Sequence, residues 1–405
     1  MKQTIAESRG DSLKPFRIAI VGVRGIPAHY GGFETFAEDL AVYWVNSGFH
    51  VTVYCEEGVI PGPDNYKGVA LKYIRVPPLG TASSLIYDWL TLRQCRKKYD
   101  LIYMLGYGSA LFCAAPKREG ALVWINMDGL EWARAKWPWY GQLWFKWMER
   151  RAVSIADKVI CDSEQIKCHL TQRYGAISSF ETIVYGTDTT PILPELRHLD
   201  PFDLQPNQYF IMVARAVPEN SLLEIVTGFM KSETELPLVV VSDVSNHDSY
   251  VRKLLAYSGH RIRFIGAIYF RDHLQSLRYF ALAAFHGHTV GGTNPSLLEA
   301  MSCGNLVIAH DNLFNREVAA ECARYFKHSE DIPPLVSWVL RHQQEVKQKG
   351  RDARQHIENH YNIQQMFEKY ATQLQKLQCR VEQTITEHTE TELSVKKTDL
   401  HFDSK

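Results

Sequence analysis

Short, solidly apolar runs alternate with longer amphipathic stretches in two successive rounds along this 405-residue chain. Strands with one wet face alternate polar and apolar residues, whereas strands covered by helices on both faces read as continuous apolar segments. The first round predicts strands at Arg17–Val23, Val51–Cys55, Leu71–Val76, Leu101–Leu105, Leu122–Asn126 and Lys158–Asp162. Helical spacing lies between most of them, at Phe33–Asn46, Ser84–Lys97, Tyr140–Ile155 and Glu164–Arg173. A polar, proline-bearing segment, Thr187–Gln208, then breaks the pattern and reads as a linker. The second round predicts strands Tyr209–Ala214, Leu238–Ser242, Arg263–Ile265, Ala283–Phe285 and Leu306–Ala309. Its helices fall at Glu219–Met230, Ser249–Tyr257, Arg271–Phe280, Ser296–Ser302 and Asn315–Glu321, with helical spacing resuming at Pro334–Lys349 and Ile363–Leu377. Two consecutive α/β domains with a cleft between them follow, at 16–190 and 205–355. The charged stretch Glu382–Lys405 has no periodicity and reads as a disordered tail.

Basic and acidic residues number 45 each, so no global field recruits nucleic acid or an anionic membrane. The eight cysteines include no CxxC pair and no zinc spacing, and several sit in apolar runs as small hydrophobes. A reducing compartment is the simpler inference. Met1–Pro15 lacks the apolar core of a signal peptide, and no stretch approaches the roughly 20 apolar residues of a spanning helix. The chain therefore reads as cytoplasmic, or peripheral at a membrane.

Ligands of such folds lie at the carboxyl ends of the strands, so the segments leaving those ends carry most weight. His286–Met301 (HGHTVGGTNPSLLEAM) runs from a strand end straight into a helix start. Gly291 and Gly292 open the backbone, Thr293 or Asn294 can cap the helix, and Pro295 and Ser296 suit its first turn. Unpaired amides there, with the positive end of the helix dipole, favour a phosphate. Glu299, one turn further in, can accept hydrogen bonds from sugar hydroxyls. An ordinary strand-to-helix connection would read the same way.

The first loop, Arg24–Gly32 (RGIPAHYGG), leaves the first strand, and Gly31 and Gly32 let amides approach a ligand. A dinucleotide-binding turn would sit here, but its GxGxxG is absent: the glycines fall at 22, 25, 31 and 32. Glu56 and Glu57 after the second strand do not rescue a dehydrogenase reading without that turn. Arg215 follows strand Tyr209–Ala214 and can fork onto two phosphate oxygens, or pair with Glu219. In Asn126–Glu131 (NMDGLE), Asp128 and Glu131 can orient a hydroxyl or act as a base, although Asp-Gly is also a frequent turn. His286 and His288 lack the cysteine or carboxylate pattern of a metal centre, which leaves hydrogen bonding to a ligand or satisfied burial. Trp132–Arg151 holds five of the nine tryptophans among Arg and Lys. It can enter a membrane interface, close over an acceptor, or pack as core through Trp144 and Met148. Single-strand nucleic-acid stacking would use the same residue types, but the neutral overall charge speaks against it.

Val21–Glu38, Asn126–Trp137, Val213–Asn220 (VARAVPEN), His286–Met301 and Phe314–Val318 (FNREV) together resemble the bacterial GT-B glycosyltransferases of family 4. Within it they look closest to the subgroup with rhamnosyltransferases of capsule and cell-wall polysaccharide assembly. The likeness runs in order over about residues 16–375. It implies two Rossmann-like domains, the first on the acceptor side and the second binding a nucleotide-sugar donor, with a C-terminal helix, 361–378, crossing back to the first. By position, Glu299 matches the glutamate that grips the donor ribose. Asn294, Pro295 and Ser296 match the loop whose backbone meets the sugar or diphosphate, Arg215 the diphosphate arginine, and Gly31 and Gly32 the first-domain phosphate loop; Gly292, Thr293 and Asn220 join them as donor-binding candidates. Asp128 falls near the acceptor-side polar residue, with Glu131 beside it, and His288 joins Arg215 and Asp128 as a catalytic candidate. Where the wider family often has a sugar-contacting glutamate this chain has Gly291, and where it has a second cation this chain has Asn220. Thr289 stands where close relatives would carry an acid.

The resemblance implies transfer of a sugar, such as L-rhamnose, from a nucleotide-diphosphate sugar to a lipid-linked or oligosaccharide acceptor. It further implies retention of configuration, no metal and no cofactor beyond the donor. A GT-B-type epimerase and a non-catalytic nucleotide-sugar binder are the alternatives. An epimerase would convert donor without acceptor, and a binder would show affinity without turnover.

Overall fold

The computed structural model describes residues 16–28, 32–59, 62–134, 136–177, 179–189, 193–245 and 248–378. Gly31 and the tail 382–405 lie outside the described residues. The first sheet contains β1 (Arg17–Val21), β2 (His50–Glu56), β3 (Asn65–Tyr66), β4 (Val69–Ile74), β5 (Leu101–Leu105), β6 (Leu122–Met127), β7 (Lys158–Cys161) and β8 (Phe180–Thr182). Helices α1 (Gly32–Asn46), α2 (Thr81–Cys95), α3 (Ala114–Arg118), α4 (Trp139–Ile155) and α5 (Glu164–Tyr174) connect them. The second sheet contains β9 (Phe210–Val213), β10 (Leu238–Val241), β11 (Ile262–Phe264), β12 (Ala283–His286), β13 (Val307–His310) and β14 (Ala323–Phe326). Helices α6 (Leu222–Met230), α7 (Ser249–Leu255), α8 (Arg271–Tyr279), α9 (Pro295–Ser302) and α10 (Leu313–Ala319) lie between its strands. Two more, α11 (Ile332–Arg341) and α12 (Gln343–His360), follow it, and a last helix covers 363–378.

Strand order explains where a ligand can go. The first sheet runs β3-β4-β2-β1-β5-β6-β7-β8 and the second β11-β10-β9-β12-β13-β14; every pair is parallel except β3 with β4. The chain winds outward from β1 through β2 to β4, then returns to start again at β5. It does the same from β9 to β11 and again from β12. Between β1 and β5, and between β9 and β12, successive connections leave in opposite directions and open a crevice at the strands' carboxyl ends.

The solid apolar runs are buried as their composition demands: β5 and β10 are buried at every residue. The helix over 363–378 packs on the first sheet, where Tyr370 is buried beside Phe36 and Trp44 and its hydroxyl lies 2.7 Å from that of Tyr103. Phe367 stacks on Tyr43 of α1 at 4.6 Å.

Several expectations need adjustment. The helix expected from Glu219 starts at Leu222: Pro218–Asn220 form a separate 3-10 turn, and Ser221 sits at φ 49°, which the α-helix cannot include. The helical stretch expected over Pro334–Lys349 divides between α11 and α12, with His342 between them. Strands β3, β8 and β14 were not expected; the first two have two and three residues, too few for a periodicity to show. The linker segment contains 3-10 turns at Leu196–His198 and Asp200–Phe202, and buries Leu199 and Leu204 in the core.

Candidate functional site where the two sheets meet

The carboxyl ends of β9 and β12 build one side. Arg215, just past β9, is exposed and makes no ion pair with any described residue, Glu219 included. Its turn is held from below: buried Asn220 donates from Nδ2 to the Arg215 carbonyl at 2.9 Å. Asn220 therefore reaches any donor only through the backbone it supports. At the exit of β12, a Cβ on Gly287 would lie 2.1 Å from the Asn220 carbonyl oxygen, so only glycine lets the two strand exits lie together. Both the amide and the hydroxyl of Thr289 donate to the Glu219 carbonyl, at 2.9 and 3.0 Å.

The chain then enters α9. Asn294 is the cap, its Oδ1 accepting from the Ser296 amide at 3.0 Å, and Pro295 opens the helix. No described residue accepts from the amides of Gly292, Thr293 and Asn294. Ser296 Oγ donates to the Val213 carbonyl at 2.9 Å, fastening α9 to β9. Glu299 Oε2 lies 2.6 Å from Nη1 of buried Arg278, which leaves the other carboxylate oxygen for a ligand.

The first sheet supplies the opposite side. A Cβ on Gly32, at the start of α1, would lie 3.3 Å from Pro295 Cγ. Gly129 is at φ 148°, and a Cβ there would come 3.3 Å from the Gly291 Cα. Asp162, just past β7, is fully buried: its carbonyl accepts from Thr293 Oγ1, and a Cβ on Gly292 would lie 1.8 Å from its Oδ1. Thus the start of α1 and the segments leaving β6 and β7 all meet the chain between the end of β12 and the first turn of α9.

Electrostatics sort these groups. Burial first, then the Asp128 and Glu317 charges, push the Asp162 carboxyl well above the usual carboxylate range. Among the described residues its Oδ1 finds no hydrogen-bond donor. Burial and the neighbouring Glu131 push the Asp128 carboxyl up to about 7, with Arg134 and Lys136 opposing. Glu131 itself is engaged: Arg134 Nε at 2.7 Å, Lys136 Nζ at 3.7 Å and the Trp137 indole N–H at 3.0 Å. Burial, then the Arg215 and Arg134 charges, lower the His288 imidazole to about 3, so it is neutral near pH 7. His288 stacks on His286 at 4.5 Å, and its Nδ1 has no partner among the described residues. Asn312 and Asn315 donate to the His288 carbonyl at 2.8 and 3.0 Å and fix its position.

Arg215, His288, Asp128 and the start of α9 therefore converge, with Gly32 against Pro295. Gly31 lies outside the described residues. The geometry can hold an anion between an unpaired guanidinium and unsatisfied amides, beside a neutral imidazole and an elevated carboxyl. Among the described residues no three His, Cys, Asp or Glu side chains group to hold an ion.

Sequence reasoning passed over Asp162, Glu317, Gly129 and Gly287. Asp162 ends a predicted strand and so stood where ligands are expected, but its contact with Gly292 depends on how two distant segments meet. A cavity of about 650 Å³ opens on the opposite, amino-terminal side of the first sheet's strands, lined by Arg17, His50, Lys72, Lys98 and Tyr99 among others. It lies at the amino ends of β1 and β2, away from the switch points.

A profile described as a domain of unknown function, DUF1972, matches residues 16–188. No curated protein sequence matches the chain. Among solved structures, sucrose-phosphate synthase from Thermosynechococcus elongatus superposes with a TM-score of 0.77 at 16% identity, over 90% of this chain and 100% of that one. HepE from Anabaena, in complex with UDP and glucose, gives 0.73 at 15% identity, over 89% and 100%. A glycosyltransferase from Rickettsia africae gives 0.68 at 15% identity, over 89% and 98%. With about nine-tenths of the chain superposed, and with its two sheets in this strand order, the chain has the GT-B fold, two Rossmann-like halves facing each other across a cleft.

Proposed function

We propose that this protein is a hexosyl-type glycosyltransferase of family 4 that uses a nucleotide-diphosphate sugar. The reading is carried by one observation: Arg215 and the unpartnered amides of 292–294 meet at the switch point of the second sheet, opposite Gly32. That is a place for a diphosphate. HepE, of the same fold and in complex with UDP and glucose, supports the choice of ligand class. We take L-rhamnose as the sugar, a lipid-linked saccharide or oligosaccharide as the acceptor, and surface polysaccharide synthesis at the cytoplasmic side as the setting.

In this reading Glu299 holds the donor ribose with its open oxygen, and Ser296, Pro295 and Asn294 present the loop to sugar and diphosphate. As the bond from the anomeric carbon to the diphosphate oxygen weakens, Arg215 and the α9 amides stabilise the charge left on the phosphate. The acceptor hydroxyl attacks from the same face, giving retention, and its proton passes to a phosphate oxygen of the leaving group. Neutral His288 and the elevated Asp128 carboxyl orient acceptor and sugar hydroxyls in this reading. Closure around the reactants excludes water that would hydrolyse the donor.

The test is to incubate the purified chain with a panel of nucleotide sugars, following hydrolysis and protection against thermal unfolding. Protection by one diphosphate sugar, with turnover only on adding acceptor, is the expected result. Protection by none removes the proposal.

A further inference from the structure

α4 turns an aromatic face to solvent that the proposed chemistry does not use. Trp139, Tyr140, Leu143 and Trp147 are 73, 65, 56 and 45% exposed, and all but Tyr140 recur at four-residue spacing on one stripe. The helix is anchored from behind: Met148 and Ala152 are buried, and the Trp144 indole donates to the Gly108 carbonyl at 2.9 Å. The face therefore stands on a fixed support. The 3-10 turn Ala110–Cys113 packs against both α4 and α2, and on α2 exposed Trp89 carries Arg93 5.6 Å from its ring.

Charge around this face is one-sided. Arg134 and Lys136 pair with Glu131 just before the helix, whereas along α4 itself Lys146, Arg150 and Arg151 stand against a single acid, Glu149. Glu149 is buried and held by the Trp132 indole, Tyr174, His169 and Arg173, so no carboxylate of α4 faces outward. Lys146 lies over Trp132 at 5.0 Å, and Arg150 is exposed beside Trp147. Tryptophan, tyrosine and leucine bordered by cations are the composition of a surface seated at the headgroup level of a bilayer.

We infer that the exposed face of α4, with Trp89 beside it, docks on an anionic lipid bilayer. Two observations choose this occupant. A two-fold contact between copies would bring the same cations face to face, whereas acidic headgroups neutralise them. The face also starts at the mouth of the cleft: Lys136, two residues before Pro138, feels the charges of Arg215 and Glu219. A bilayer seated there would present a lipid-linked molecule to the cleft without its leaving the membrane. In that respect the inference extends the proposed acceptor, but docking needs neither donor nor turnover.

The experiment is sedimentation of the full chain with phosphatidylcholine vesicles, with and without phosphatidylglycerol, at low and high salt. Binding to the phosphatidylglycerol vesicles alone, weakened by salt, is expected. The combined Trp139→Ser, Leu143→Ser and Trp147→Ser variant should lose roughly tenfold or more of that partitioning while unfolding at the wild-type temperature. Should the triple variant not fold, Arg150→Glu serves, with a loss of several-fold expected and the apolar face intact. Failure of wild type to bind acidic vesicles would overturn the inference, as would undiminished binding by the variants. Concentration-dependent dimerisation abolished by the triple substitution would overturn it in favour of a second copy. Each outcome is independent of nucleotide-sugar binding, so the two proposals fail separately.

Discussion

Two helix starts, α5 in the first half and α9 in the second, occupy equivalent places just after a parallel strand. At α5 the positive end is filled from within. Ser163 Oγ accepts from the amides of Gln165 and Ile166, and the Glu317 carboxylate accepts from the Glu164 and Gln165 amides at 2.7 and 3.2 Å and from Ser163 Oγ at 2.9 Å. Glu317 comes from α10 of the other half, so an anion bridges the two halves there. At α9 the cap Asn294 satisfies the Ser296 amide, and the amides of Gly292, Thr293 and Asn294 meet no described acceptor. One start shows what such a site binds; at the other, no described residue fills that place. The difference is not in capping, which both possess, but in what the other half sends across: at α5 a carboxylate that accepts from the helix-start amides, and at α9 the backbone of Gly32 with an Asp162 carboxyl that accepts from none of the amides of 292–294.

The comparison can be broken most severely at Gly287. Alanine there sets a Cβ 2.1 Å from a backbone carbonyl, and overpacking of that kind typically costs about 3 kcal/mol. Chemical denaturation should show that loss; wild-type stability would mean the strand exits are not in contact. Next comes Arg215→Ala, which removes an exposed cation beside the start of α9 that makes no ion pair with any described residue. Nucleoside diphosphate binding measured by calorimetry should weaken by ~1.5–3 kcal/mol, the scale of charged hydrogen bonds, with stability unchanged. Unaltered affinity would take Arg215 out of the site.

Glu317→Ala sharpens the contrast by making α5 resemble α9. Stability should fall by about 1–2 kcal/mol, since a charged acceptor leaves a helix start. Added phosphate should then raise the unfolding temperature of the variant more than that of wild type; equal shifts would show that α5 does not hold an anion. The smallest effect is in pH dependence. Because folding raises the Asp128 carboxyl from its usual range to about 7, the folded chain holds a proton that the unfolded chain has released. Its stabilising share is complete below the usual carboxylate range and is lost as pH rises towards 7. Asp128→Asn should therefore flatten the decline of stability over that window by less than one proton, because Asp128 shares its field with Glu131 and Arg134. An identical pH profile would count against the elevated carboxyl.

Much of this layout was legible in the residues, and the reason is local. Continuous apolar runs announce strands buried on both faces, and Gly291 to Ser296 announces a capped helix at a strand exit. Arg215 was recognisable by its place after β9. What could not be read was pairing across the chain. That Asp162 lies against Gly292, or that Glu317 reaches Ser163, depends on segments more than a hundred residues apart meeting in one arrangement. Strand order has the same origin: periodicity finds β1, β5, β9 and β12, but only the sheet shows that they flank the two switch points. The requirement for glycine at 287 likewise comes from the Asn220 carbonyl, which no local pattern anticipates.

The central claim is that a pyrophosphate rests between Arg215 and the start of α9. A crystal structure of the full chain soaked with a nucleoside diphosphate tests it most directly. Phosphate oxygens are expected within hydrogen-bonding distance of the Arg215 guanidinium and the amides of 292–294, with the ribose near Glu299. Phosphate bound instead in the cavity beside Arg17 and Lys98, or at α5 in place of Glu317, would contradict it.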